Sequence, residues 1–220
     1  MIDEDASIDV LRSLQASLEE LYDLAIDLDV SEFIVSDTVR SYIPGALEGI
    51  PEQLFIAQAE DEVELALYIA PEILSSLDTD APEERLHAGN LEDYWIALEG
   101  VSHFTFLVWR TQRGRPVSHL ELELQAEVDK FVRSWQLLVE QGRPVGLSGR
   151  ALCRALFDSY EVRNDIPCDQ VETYRMASVA AERFCRKLVE RYTRPYELTT
   201  VRAEARDYYR QGLSEKMRVA

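Results

Sequence analysis

Only three cysteines occur in the 220 residues, at positions 153, 168 and 185, and no two form a C-x-x-C pair. An odd number at such wide spacing supports neither a disulfide framework nor a zinc ribbon. Free thiols in or near the core are the expectation. No apolar run reaches the roughly 18 residues that a membrane span needs. The opening MIDEDASIDV is acidic and lacks the basic start and apolar run of a signal peptide. These absences point to a soluble, cytoplasmic chain with no membrane contact.

Basic residues are also scarce where the chain begins. Residues 1–100 carry 25 acidic and three basic side chains, a balance of −22, and residues 101–220 carry 16 and 20, a balance of +4. Phosphate would be repelled by the first half, so nucleic-acid binding is disfavoured there. Its charge either attracts the second half within the fold or presents a field to a basic partner. Several motifs are missing too: G-x-G-x-x-G, the Walker lysine loop, G-x-S-x-G and H-E-x-x-H. This leans against an enzyme and leaves no cofactor predicted.

What is present is a core: 46% of residues are hydrophobic, which excludes global disorder. Leu11, Leu14, Leu18, Leu21, Ala25 and Leu28 follow 3-4 spacing and predict a helix over 7–29 with a narrow seam. Such a seam suits a neighbouring helix, a protein partner or a second copy of the chain. Between residues 30 and 74 the period shortens, which predicts strands near 32–37, 52–59 and 62–70. The polar stretch 81–90 reads as a linker. Beyond it lie helices over about 91–112, 117–141, 148–160, 167–192 and 199–217, bounded by Gly114, Gly142 and Pro195. The predicted fold is therefore α+β and predominantly helical. An acidic segment (1–80) with a small antiparallel sheet precedes a bundle of about five helices (91–220).

The stretch HLELELQAEVDK, residues 119 to 130, alternates at first like a strand. Helical placement nevertheless brings Leu120, Leu124, Val128, Phe131, Trp135 and Leu138 within about 80° of one another. A helix is predicted, with Glu123 and Asp129 turned to solvent. Glu121 and Glu127 are then misfits on its apolar face, and a carboxylate there needs a partner. The preceding helix offers a polar stripe of Glu92, Glu99, His103 and Arg110. An antiparallel turn near Gly114 sets His103 against Glu127 and Glu99 against Lys130.

Glu99, His103, Glu123 and Glu127 are thus the candidate catalytic residues, with His103 and Glu127 as candidate metal ligands. Carboxylates and imidazole on facing helices can hold a divalent cation. Di-iron bundles use Glu-x-x-His twice, whereas here Glu-x-x-x-His occurs once. Arg113 and His119, with five residues between them, resemble the Arg-x(4–6)-His motif of HEPN-type helical RNases. That resemblance implies RNase chemistry. Arg202, Arg206 and Arg210 repeat every four residues near Tyr192, Tyr196, Tyr208 and Tyr209. Such a face can take phosphate or stacked bases, or dock on the acidic half.

The primary expectation is an interaction or adaptor protein whose acidic half, with the turn Glu60, Asp61 and Glu62, faces a partner. The alternative is a metal- or acid/base-dependent hydrolase or nuclease built on the carboxylate/histidine cluster. A nucleic-acid role for the Arg/Tyr C-terminal helices is the third reading.

Overall fold

The computed structural model describes residues 4–59, 62–158, 171–194 and 197–219. It is α+β and 68% helical, with one two-stranded antiparallel sheet among the described residues. Cys168 and the acidic pair Glu60 and Asp61 lie outside the described residues.

Helix α1 spans Glu4–Tyr22. Its seam residues Leu11, Leu14, Leu18 and Leu21 are all buried, and they face α3 (Pro71–Thr79), α4 (Leu91–Thr111) and α8 (Leu198–Arg210) of the same chain. The predicted continuation to Asp29 is wrong. Asp23 adopts φ 53°, and the Asp23 and Leu24 amides turn back to the Glu20 and Glu19 carbonyls at 3.4 and 2.9 Å. That is a Schellman ending with aspartate in the left-handed position usually held by glycine. The spacing of Ala25 and Leu28 imitates the seam, but Leu28 is exposed.

The predicted strand at 32–37 is also absent. Val30–Phe33 is a 3-10 turn, and Ile34 makes a single parallel bridge to Leu67. Ser36 then caps the one-turn helix α2 (Asp37–Arg40), accepting from the Val39 amide; a capping serine ends the extended run. The two later strands form as expected, β1 over Glu52–Ala59 and β2 over Glu62–Ile69, paired Leu54 to Leu67 and Phe55 to Ala66. The end of the hairpin carrying Leu67, Tyr68 and Ile69 is buried, whereas Ile56 and Val63 near the turn are exposed. The sheet docks against α4.

Pro71 opens α3, where its missing N–H costs nothing. Residues 80–90 follow as a loop tied down by side chains. Gln141 donates to the Pro82 carbonyl at 2.8 Å and accepts from the Leu86 amide at 2.8 Å. One hydrophobic core runs on both sides of this loop, from Leu11 to Tyr209.

α4 and α5 (His119–Glu140) form an antiparallel hairpin. α5 is capped by Ser118 and so begins at His119 rather than near Val117, and Gly142 at φ 83° follows its end. The third bundle helix, α6, begins at Val145 after Pro144; Ser148 lies inside it and back-bonds the Pro144 carbonyl at 3.0 Å instead of capping it. A π-turn, Arg154–Asp158, continues α6. α7 covers Val171–Arg191. The last predicted helix is two: α8, then α9 over Leu213–Val219, broken at Gly212. Cys153 and Cys185 are buried free thiols.

Candidate metal centre between helices α4 and α5

α5 is enclosed by α4, α6, α7 and α8. Every residue from Glu121 to Val132 is buried. The expectation that Glu123 and Asp129 are solvated is therefore overturned: Glu123 meets His103 of α4, and Asp129 meets Ser102 of α4 and Tyr22 of α1. Each charge brought inside must be matched there, since an unpaired buried ion costs several kcal/mol.

Glu121, read as a misfit, is matched twice. It closes a capping box with Ser118, accepting from the Ser118 amide at 3.2 Å, and its other oxygen accepts from Arg110 Nη2 at 2.9 Å. Asp129 accepts from Ser102 Oγ at 2.5 Å and Gln125 Nε2 at 2.7 Å, and from the Tyr22 hydroxyl. Burial lifts its carboxyl to about 6, although these three donors favour the ionised form.

The other charged side chains at the α4–α5 contact gather at one place. Glu99 and His103 come from one face of α4, and Glu123, Glu127 and Lys130 come from α5. Glu52 enters from the first position of β1. The expected contact between Glu99 and Lys130 is present at 2.9 Å, and Lys130 also donates to Glu127 Oε1 at 2.6 Å. Burial alone would lower the Lys130 ammonium, but Glu127 and Glu99 raise it instead. The expected contact of His103 with Glu127 is not the one formed. The helix pair keeps the expected register, with Trp95 Nε1 donating to Ser134 Oγ at 2.8 Å, but Glu127 is taken up by Lys130, and His103 Nε2 instead faces Glu123 Oε1 while His103 Nδ1 faces Glu52 Oε1, each at 3.6 Å. At that length both are ion-pair contacts too long for hydrogen bonds. Burial works against a charged imidazole, yet the charges of Glu123 and Glu52 carry His103 up to about 9.

Three buried polar atoms in this group have no hydrogen-bond partner: His103 Nε2, Glu52 Oε1 and Glu127 Oε2. Native interiors rarely leave such atoms unmatched. One ligand atom from each of Glu99, His103 and Glu123 lies within 4.8 Å of the other two. A metal with bonds of about 2.1 Å holds its ligand atoms about 3–4 Å apart, so a small inward rotation of these side chains would close the set. Glu123 takes the place that the sequence assigned to Glu127.

Glu52 completes the arrangement from behind. A carboxylate that accepts from Nδ1 of a histidine fixes the ring with Nε2 free for a cation; at 3.6 Å Glu52 stands behind Nδ1 without yet making that hydrogen bond. Burial raises the Glu52 carboxyl above the ordinary range. His119 and Tyr174 lie beside Glu123. His119 Nε2 lies 3.0 Å from Glu123 Oε1 with the imidazole side chain 44% exposed, and the Tyr174 ring meets it edge-on. Burial first, and then the charge of Glu123, raises the Tyr174 hydroxyl. No sequence spacing links Glu52 or Tyr174 to the cluster. Gly100, beside Glu99, is the one local signal of a close neighbour.

The other candidates lie elsewhere. Arg113 donates to the Trp109 carbonyl and lies 4.5 Å over the Trp109 ring, so it does not join His119. Arg206 donates to the Leu21 and Glu20 carbonyls at 2.6 and 2.8 Å, and Arg210 to the Tyr22 carbonyl at 2.9 Å. Together they neutralise the C-terminus of α1. Arg202 reaches Glu140 at 3.0 Å. Tyr208 and Tyr209 are buried, stacked on Phe184 and Tyr22, and Tyr196 lies outside the described residues. Glu62 is the first residue of β2. Comparison of the chain with known protein families, with curated proteins and with solved structures gave no match.

Proposed function

We propose that this protein is a metal-dependent hydrolase with a divalent cation held by Glu99, His103 and Glu123. The observation that carries this reading is the buried Nε2 of His103, which has no hydrogen-bond partner, faces Glu123 at 3.6 Å and lies within ligand range of Glu99. Two carboxylates and one imidazole suit a first-row dication of the manganese, iron or zinc kind. Such an ion makes its bound water acidic enough to attack near neutral pH. Glu52 stands behind His103, and the partly exposed imidazole of His119 meets Glu123 on its solvent side.

Charge narrows the substrate. Glu52, Glu99, Glu123 and Glu127 bring four carboxylates, against the Lys130 ammonium and one dication. The balance stays negative when His103 is neutral and ligated, which opposes a phosphate anion. The substrate class is therefore a neutral or cationic ester or amide rather than a nucleic acid.

Thermal melts with and without Mn²⁺, Zn²⁺ or Mg²⁺ test the site, because a bound ion raises the melting temperature. The expected result is a rise with at least one of them that Glu123→Gln abolishes. No shift with any ion would overturn the reading. Metal-loaded protein should then turn over an activated ester or amide faster than Glu123→Gln does, and equal rates would remove the hydrolase assignment.

A further inference from the structure

Lys130 stands between two carboxylates of the same cluster. Its Nζ lies 2.9 Å from Glu99 Oε2 on α4 and 2.6 Å from Glu127 Oε1 on α5. The lysine side chain is 9% exposed and that of Glu127 11%. The second Glu127 oxygen is buried and has no hydrogen-bond partner. Glu99 faces two ways: toward Lys130, and toward the His103 and Glu123 ligand atoms.

We propose that Lys130 is a built-in cation occupying the second position of what would otherwise be a two-metal carboxylate centre. This rests on the metal reading of Glu99, His103 and Glu123. The argument is geometric. In helical two-metal sites, inward carboxylates and histidines from facing helices bind two ions, and the ions sit about 3.5–4 Å apart. Here Glu99 holds the bridging place, His103 and Glu123 complete one side, and Glu127 with Lys130 makes the other. An ammonium is tethered and carries one positive charge. It neutralises Glu127 and Glu99 without a second ion, and it cannot change valence. The centre is thereby confined to a single metal ion. Glu127 follows as a positioning residue: it holds Lys130, and Lys130 holds Glu99.

The test is a metal count on the full chain, with Mn²⁺ as the probe, by equilibrium dialysis and electron paramagnetic resonance. Wild-type protein should take up one equivalent and give the six-line spectrum of an isolated ion. Lys130→Ala and the more conservative Lys130→Gln should each take up two and show the broadened spectrum of a coupled pair. Two equivalents in the wild type would overturn the proposal, and this measurement needs no variant to fold. A folded Lys130 variant that still binds one equivalent would overturn it as well. No binding by the wild type would instead sink the metal reading itself, a failure distinct from the other two.

Discussion

Lys216 Nζ lies 2.6 Å from Gln125 Oε1, which fastens α9 to the middle of α5. The ammonium is fully buried and sits 4.4 Å over the Phe106 ring, with Tyr208 and Tyr209 beside it. The nearby charges are Asp129, Glu121 and Arg110; none forms an ion pair with it. Burial draws Lys216 from an ordinary value of 10.5 to about 7, against the pull of Asp129 and Glu121.

A pH dependence follows. Between about 7 and 10.5 the unfolded chain keeps this proton and the folded chain does not. Stability contributed by Lys216 therefore rises with pH across that window, on the order of 1 kcal/mol per unit. Below about 7 both states carry the proton and the dependence stops. Lys216→Met removes the titrating group at similar volume. Urea melts at several pH values from 7 to 10 should show the wild type gaining stability relative to the variant. Parallel curves would show that Lys216 stays charged in the fold.

Gly100 decides how closely β1 approaches the cluster. A Cβ there would lie 2.8 Å from Glu52 Cγ and 3.1 Å from Leu67 Cδ1. Alanine is the better helix former by about 1 kcal/mol, but overpacking costs about 1–3 kcal/mol. The clash should win, because Leu67 is completely buried and cannot retreat. Gly100→Ala is expected to lose about 1 kcal/mol net and to swing Glu52 away from His103. The metal-induced rise in melting temperature should shrink with it. A stabilised variant with an unchanged metal response would contradict this placement of Glu52.

Arg110 and Glu121 are both buried and joined at 2.9 Å. Removing one partner strands a charge, at a cost of about 3–5 kcal/mol, whereas replacing both with apolar side chains can be neutral. Arg110→Met should therefore be strongly destabilising in denaturant titration. Arg110→Met with Glu121→Leu should recover much of the loss, less the capping contribution of Glu121. Additive losses in the double variant would mean that the two side chains act independently.

Much of the architecture was legible because it depends on local periodicity. The 3-4 seam of α1, the alternation of β2 and the turn at Gly114 are each written within a few residues. Misreadings came where a local pattern continued past a stop signal that is not glycine or proline. Asp23 ends α1 in a conformation that aspartate adopts only occasionally, and Ser36 turns an extended run into a helix. The cluster was half legible. Spacing placed Glu99, His103 and Glu123 on facing helices and matched Glu99 with Lys130. The register was as expected, but Lys130 claimed Glu127 and left His103 to Glu123; helical spacing does not decide which of two carboxylates one turn apart a side chain meets.

By itself, then, the sequence determined the helical class, the hairpin and the residue types available at the α4–α5 contact, all properties of short-range pattern. Tertiary structure alone decided that α5 is covered on every side, that Glu52 stands behind His103 and that Lys130 lies between Glu99 and Glu127. Those outcomes depend on which distant elements, β1, α7 and α8, close over one helix. Whether a carboxylate there is solvated or must find a cation follows from that enclosure.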